Sequence, residues 1–200
     1  MAAPKTQLRL YGTHKLNKSG IHKYELFVTP SRGMKGLGSI GNGAFVLPIN
    51  RFDDKARAAL SNEFERFKQP GLTKNPAVRL GEITFQVIPT RMGKVAYPIN
   101  YKPKGEIRDP IQAESRGTGL GGQIEALCLS HLEKSGKATH VSTTVGLRKY
   151  LEETEGYEKY AETLEAFSTS DVRIAHLKKC GIGARDILPI NEWAFKVARH

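Results

Sequence analysis

Apolar and polar residues alternate over residues 6–11 (TQLRLY) and 22–29 (HKYELFVT), the two-residue period of strands with one covered face. Over residues 53–68 (DDKARAALSNEFERFK) the period lengthens. Ala56, Ala59, Leu60, Phe64 and Phe67 share one helical face, and Asp53 or Asp54 stands ready to cap it. GEITFQVIPT and VAYPIN then read as two strands joined by the turn RMGK. The strongest helical pattern covers about 120–135, where Leu120, Ile124, Leu127, Cys128 and Leu132 form one stripe and Gly136 provides a stop. ATHVSTT is a further strand. Helical stretches follow at about 147–166 and 171–180, and the tail ARDILPINEWAFKVAR reads as one or two strands, with Trp193, Phe195 and Val197 alternating. Strands and helices in this order predict an α/β (α+β) fold, a sheet covered by helices. Two segments carry no period: the glycine-rich loop at 31–43 (SRGMKGLGSIGNG) and the polar, proline-containing stretch at 101–110 (YKPKGEIRDP).

At 200 residues the chain suffices for a single domain with a real core, and we read 1–200 as one domain. No apolar run approaches the roughly 20 residues of a membrane helix. The start MAAPKTQLRLYGTHK has no apolar segment of the secretory kind, and two cysteines are too few for a disulfide framework. These features predict a cytoplasmic protein with no membrane partner. Charge narrows the partners further. The net charge of +11 favours a polyanion, either nucleic acid or a phosphate-rich small molecule.

One short stretch concentrates that preference. In Ser115–Gln123 (SRGTGLGGQ), four glycines fall within 117–122, Arg116 stands ahead of them, and the strong helix begins at Leu120. A helix N-terminus offers unpaired N–H groups and the positive end of the helix dipole, and glycines let an anion approach the backbone. Both 117–122 and 36–41 satisfy G-x-G-x-x-G. The earlier match leads into NGAFVLPIN, not a helix, and the later one precedes a strand with no acidic residue to hold a ribose, so neither has the setting of a dinucleotide site.

Read as Arg116-Gly117-Thr118-Gly119-Leu120-Gly121, the stretch has the form R/Q-x-x-G-x-G/A. From Ile111 to Gly121 (IQAESRGTGLG) it resembles the V-x-P-E-Y-R-G-x-G-I-G segment of the GNAT superfamily of N-acetyltransferases, with Ala for Pro and Ser for Tyr. The helix GGQIEALCLSHLEKSG and the strand THVSTT follow in that family's order. The resemblance covers about residues 80–145, and 1–80 match no motif. It implies a mixed, mostly antiparallel central sheet flanked by helices, and acetyl-CoA or another acyl-CoA as ligand. The pyrophosphate would rest on the amides of Arg116, Gly117, Thr118, Gly119, Leu120 and Gly121, and the pantetheine would run along a short strand at Ile111 and Gln112. It also implies a tyrosine on a later helix that protonates the leaving thiolate. Two registers supply that helix. LRKYLEETEGYEKY offers Tyr150, whereas DVRIAHLKKCGI puts Leu177 in the tyrosine's place and His176 as the nearest titratable group.

Acyl transfer to an amine also needs a base, for which Glu82, at the head of EITFQVIPT, and Glu106 are the candidates. The six histidines show neither H-x-x-x-H nor H-E-x-x-H spacing, so no metal site is expected, and Cys128 lies on the apolar stripe of its helix as a core residue. Two function classes remain open. One is an acetyl-CoA-dependent N-acetyltransferase acting on an amine that the sequence does not name. The other is a non-catalytic basic protein that binds nucleic acid or a ribonucleoprotein, with the glycine turn on backbone phosphate.

Overall fold

A computed structural model describes residues 7–30, 43–67, 77–90, 93–98, 118–142 and 171–188. The alternating segments form β1 (Leu8–Leu16) and β2 (Ile21–Pro30), an antiparallel hairpin whose register sets Leu8 opposite Pro30 and Leu16 opposite His22. The hairpin-type pattern further on forms β4 (Val78–Thr90) and β5 (Gly93–Pro98). Between them lie β3 (Phe45–Leu47), a short 3-10 turn at Ile49–Arg51, and α1 (Asp54–Phe67). The remainder is α2 (Leu120–Lys134), β6 (His140–Ser142), α3 (Asp171–Lys179), a 3-10 turn at Ala184–Asp186 and β7 (Ile187–Leu188). The short strand expected at Ile111 and Gln112, the helix at 147–166 and the tail beyond 188 lie outside the described residues.

Among the described residues the strands make one seven-stranded sheet in the order β3-β1-β2-β4-β5-β6-β7. The pairs from β3 through β5 are antiparallel, whereas β5–β6 and β6–β7 are parallel. The fold is therefore mixed α/β with a mostly antiparallel sheet, as the pattern and the resemblance led us to expect. The parallel β5–β6 step needs a crossover, and α2 lies within that connection.

The core lies between one sheet face and the helices. Leu10, Tyr24, Leu26 and Phe85 from the sheet are fully buried, as are Ala56, Leu60, Leu120, Ile124 and Leu129 from α1 and α2. Tyr24 packs edge-on against Phe85, with ring centroids 5.6 Å apart. The apolar face expected for α1 is the buried one at Ala56, Ala59, Leu60 and Phe64. For α2 a single buried stripe is too little. Ala126, Leu129, Gln123 and Ser130 are buried as well, because β5, α1 and α3 all touch this helix. Gly136 ends α2 as expected. At φ +69° it lets its own N–H reach the Glu133 carbonyl and the Lys137 N–H reach that of Leu132. No helix among the described residues is long and apolar enough to cross a membrane.

Candidate active site

The glycine turn opens α2 as the sequence led us to expect. Gly119 is the N-cap, in the left-handed region at φ +76°, and its carbonyl accepts the first helical bond from the Gln123 N–H at 3.0 Å. The N–H groups of Leu120, Gly121 and Gly122 therefore have no acceptor inside the helix. The Thr118 hydroxyl takes the first of them only loosely, at 3.4 Å. A Cβ on Gly119 would stand 3.1 Å from Gln123 Nε2 and 3.7 Å from His176 Cε1, and one on Gly122 would stand 3.4 Å from His176 Nδ1. The imidazole of His176, contributed by α3, thus lies across the turn, with little of its side chain exposed.

Residues distant in sequence from the turn complete the site. Asp53, whose carbonyl accepts the first bond of α1 from Arg57, exchanges two hydrogen bonds with Gln123. The Asp53 N–H donates to Gln123 Oε1 at 2.9 Å, and Gln123 Nε2 donates to Asp53 Oδ2 at 2.9 Å. The other carboxylate oxygen of Asp53 accepts from Lys179, and His176 Nε2 lies 3.8 Å from Asp53 Oδ2. The heads of α1 and α2 and the last turn of α3 are thereby tied at one point. Further along, the Cys180 carbonyl accepts from Ser130 at 2.8 Å and from Arg51, which fixes the end of α3 against α2.

The Lys179 hydrogen bond is the main reason the Asp53 carboxyl is held below its ordinary range. Partial burial works in the other direction, and the charges of Lys179 and His176 and the Gln123 amide add to the lowering. Because the folded state prefers the ionised form, its contribution to stability is present above the unfolded value of about 3.9 and is lost as the pH falls through and below it. Asp53→Asn is expected to lower stability at neutral pH by a margin that closes in acid, which urea midpoints of both proteins between about pH 7 and 2 will show. The Gln123 side chain is almost wholly buried, so Gln123→Ala strands the Asp53 N–H and leaves a gap. It is expected to cost about 1–3 kcal/mol in urea denaturation.

The other candidates fall into three groups. Tyr150, Ile111, Gln112, Arg116 and Gly117 lie outside the described residues, as does Glu106. Leu120 is at the turn, but its side chain is fully buried, so only its backbone can face a ligand. Glu82 is elsewhere. It lies within β4, not at its head, opposite Glu25 of β2. Tyr24 and Ile83 pair on the face that carries the helices, so Glu82 and Glu25 point to the opposite face. There Glu82 Oε2 is 2.5 Å from Lys23 Nζ and 3.0 Å from Arg79. It is a structural ion pair on the far side of the sheet from His176. Cys128 is core as expected, and burial pushes its thiol well above the ordinary value. Among the described residues no three of His, Cys, Asp and Glu stand together as metal ligands.

Gln123 and Lys179 belong to no motif in the sequence, where Asp53 is legible only as a cap. A signal for Gln123 exists: it falls three residues after Leu120 and four before Leu127, a polar residue on the apolar side of α2. No family model matches the chain, and no curated protein or solved structure matches it significantly.

Proposed function

We propose that this protein is an N-acyltransferase that moves an acetyl group from acetyl-CoA to an amine, with the head of α2 as the seat of the CoA pyrophosphate. The observation that carries the reading is the left-handed Gly119 at the end of the GNAT-like segment 111–121. It opens α2 with N–H groups unused inside the helix and, at Gly119, no Cβ to keep an anion from the backbone. Lys179 neutralises Asp53, so that carboxylate does not oppose an incoming phosphate. When bound, acetyl-CoA supplies the acyl group already activated as a thioester.

The chain's own residues then have separate tasks. The amides from Thr118 to Gly122 bind phosphate oxygens, joined by Arg116 in the motif's leading position. His176 covers this turn, which puts it a pantetheine length from the thioester, so we assign it to the phosphate end and not to protonation of the thiolate. Tyr150 stays as the candidate acid for that step. Glu82, held by Lys23 and Arg79 on the other sheet face, is not assigned as the base. Positioning of amine against thioester is then the main source of rate. Two buried free thiols, Cys128 and Cys180, fit a cytoplasmic setting.

The net charge of +11 favours the second reading, in which the same amides take nucleic-acid backbone phosphate and no acyl transfer occurs. Calorimetric titration separates the two. The acyltransferase reading expects acetyl-CoA to bind at micromolar concentration and free pantetheine to bind far more weakly. Absence of acetyl-CoA binding at millimolar concentration, together with salt-dependent RNA binding, would overturn it in favour of the second.

A further inference from the structure

About 16 Å along α2 from the glycine turn, a second polar group closes the other end of the helix against the sheet. The β1 and β2 positions that face α2 begin with leucines and valine and end in His14, His22 and Tyr24. Lys137, just past the cap of α2, has its Nζ 2.9 Å from His14 Nδ1. His14 Nε2 is 2.9 Å from His22 Nδ1, and the two rings are inclined by only 22° with centroids 5.1 Å apart. Beside them the Tyr24 hydroxyl is 2.9 Å from Nδ1 of His131 on α2, and Phe45 of β3 stacks on His131 at 3.8 Å.

The chemistry of the partners fixes where the protons lie. An ammonium group only donates, so His14 Nδ1 accepts from Lys137 and carries no proton. The His14 proton is then on Nε2 and is donated to His22 Nδ1, so His22 also carries its proton on Nε2. The chain has one direction, and both imidazoles in it are neutral. We propose that the Lys137–His14–His22 chain is a pH-operated latch. It fastens the turn after α2 to the β1–β2 hairpin and releases it when either imidazole takes a second proton. A proton on His14 Nδ1 turns that atom into a donor facing the Lys137 ammonium. A proton on His22 Nδ1 turns it against the His14 Nε2–H.

The surroundings favour release and do not buffer it. The groups that face these rings are Lys137 from the turn, His131 from α2, Tyr24 from β2 and Phe45 from β3. Among the described residues no carboxylate pairs with His14, His22 or His131. Burial first, then Lys137, then the two neighbouring histidines lower His14 to about 4. Burial and Lys137 lower His22 and His131 as well. With folded values depressed, the unfolded chain takes up protons first. The latch is therefore intact above the ordinary histidine value of about 6.5, and its stabilisation is lost as the pH falls from there through the folded values.

Long-range proton–nitrogen NMR of the imidazole rings tests the proposal in the intact protein. At about pH 7.5 both His14 and His22 are expected as Nε2–H tautomers. On acidification His14 is expected to titrate more than one pH unit below an ordinary histidine, and Lys137→Met is expected to bring it back toward that value. Amide exchange at residues 136–138, corrected for intrinsic rate, is expected to rise about tenfold between roughly pH 7 and 5. In His14→Gln, which keeps an acceptor and a donor but cannot take the proton, that rise is expected to shrink. An Nδ1–H tautomer at His14, an ordinary titration in the wild type, or an undiminished rise in His14→Gln would overturn the latch. None of these readouts depends on acetyl-CoA, so failure of the acyltransferase reading leaves the result interpretable.

Discussion

Gly119→Glu is expected to weaken acetyl-CoA binding by at least about 100-fold, or about 2.8 kcal/mol, while the protein stays folded. Three effects act together. The position has φ +76°, where a residue with a Cβ loses roughly 1–2 kcal/mol relative to glycine. The Cβ itself would lie 3.1 Å from Gln123 Nε2, close enough that the amide must shift by a few tenths of an ångström. The carboxylate then competes for the N–H groups of Leu120, Gly121 and Gly122 and repels the pyrophosphate they are proposed to hold. Gly119→Ala carries the first two effects without the charge, so its affinity should fall between the two proteins. Calorimetry gives the affinities, and thermal melting reports whether the fold survives. Wild-type affinity in Gly119→Glu would remove the head of α2 from the site.

Why the turn was legible in the sequence and its neighbours were not follows from the range of the interactions. Gly119, the start of α2 at Leu120 and the stop at Gly136 are local features, each set by residues within one helical turn. The β4–β5 hairpin is similarly local, its period of two being unbroken over EITFQV. β3 has three residues, too few for any period to show, and it forms only because β1 offers it an edge. The pair Asp53–Gln123 joins residues 70 positions apart, and no pattern along the chain connects them. Glu82 was legible after all. In GEITFQV it has the opposite parity to Ile83 and Phe85, which places it away from the core-facing side and so away from α2. The same parity puts His22 and Tyr24 with Leu26, but their meeting with His131 and Lys137 depends on how α2 crosses the sheet.

Leu120→Ala is expected to have the opposite signature: a loss of about 2–5 kcal/mol in stability, with affinity for acetyl-CoA in the folded protein changed by no more than about threefold. Leu120 is fully buried among the core residues of α1, α2 and the sheet, although it follows the cap directly. Its side chain and its amide thus serve different ends. The side chain anchors the first turn of α2, and the N–H is one of those offered to phosphate. Truncation leaves a cavity and removes apolar contacts, a loss that is a large fraction of the 5–15 kcal/mol typical of a domain. The amide stays where Gly119, Gln123 and Asp53 hold it, through the helical bond at 3.0 Å and the two side-chain bonds at 2.9 Å. Urea denaturation measures the first quantity, and titration at low temperature, where the variant is folded, measures the second. A stable Leu120→Ala that no longer binds would mean that the leucine side chain meets the ligand and that the burial of the first turn is wrong. An unstable variant that binds normally would separate the turn's two tasks, anchoring by one side chain and recognition by the backbone alone.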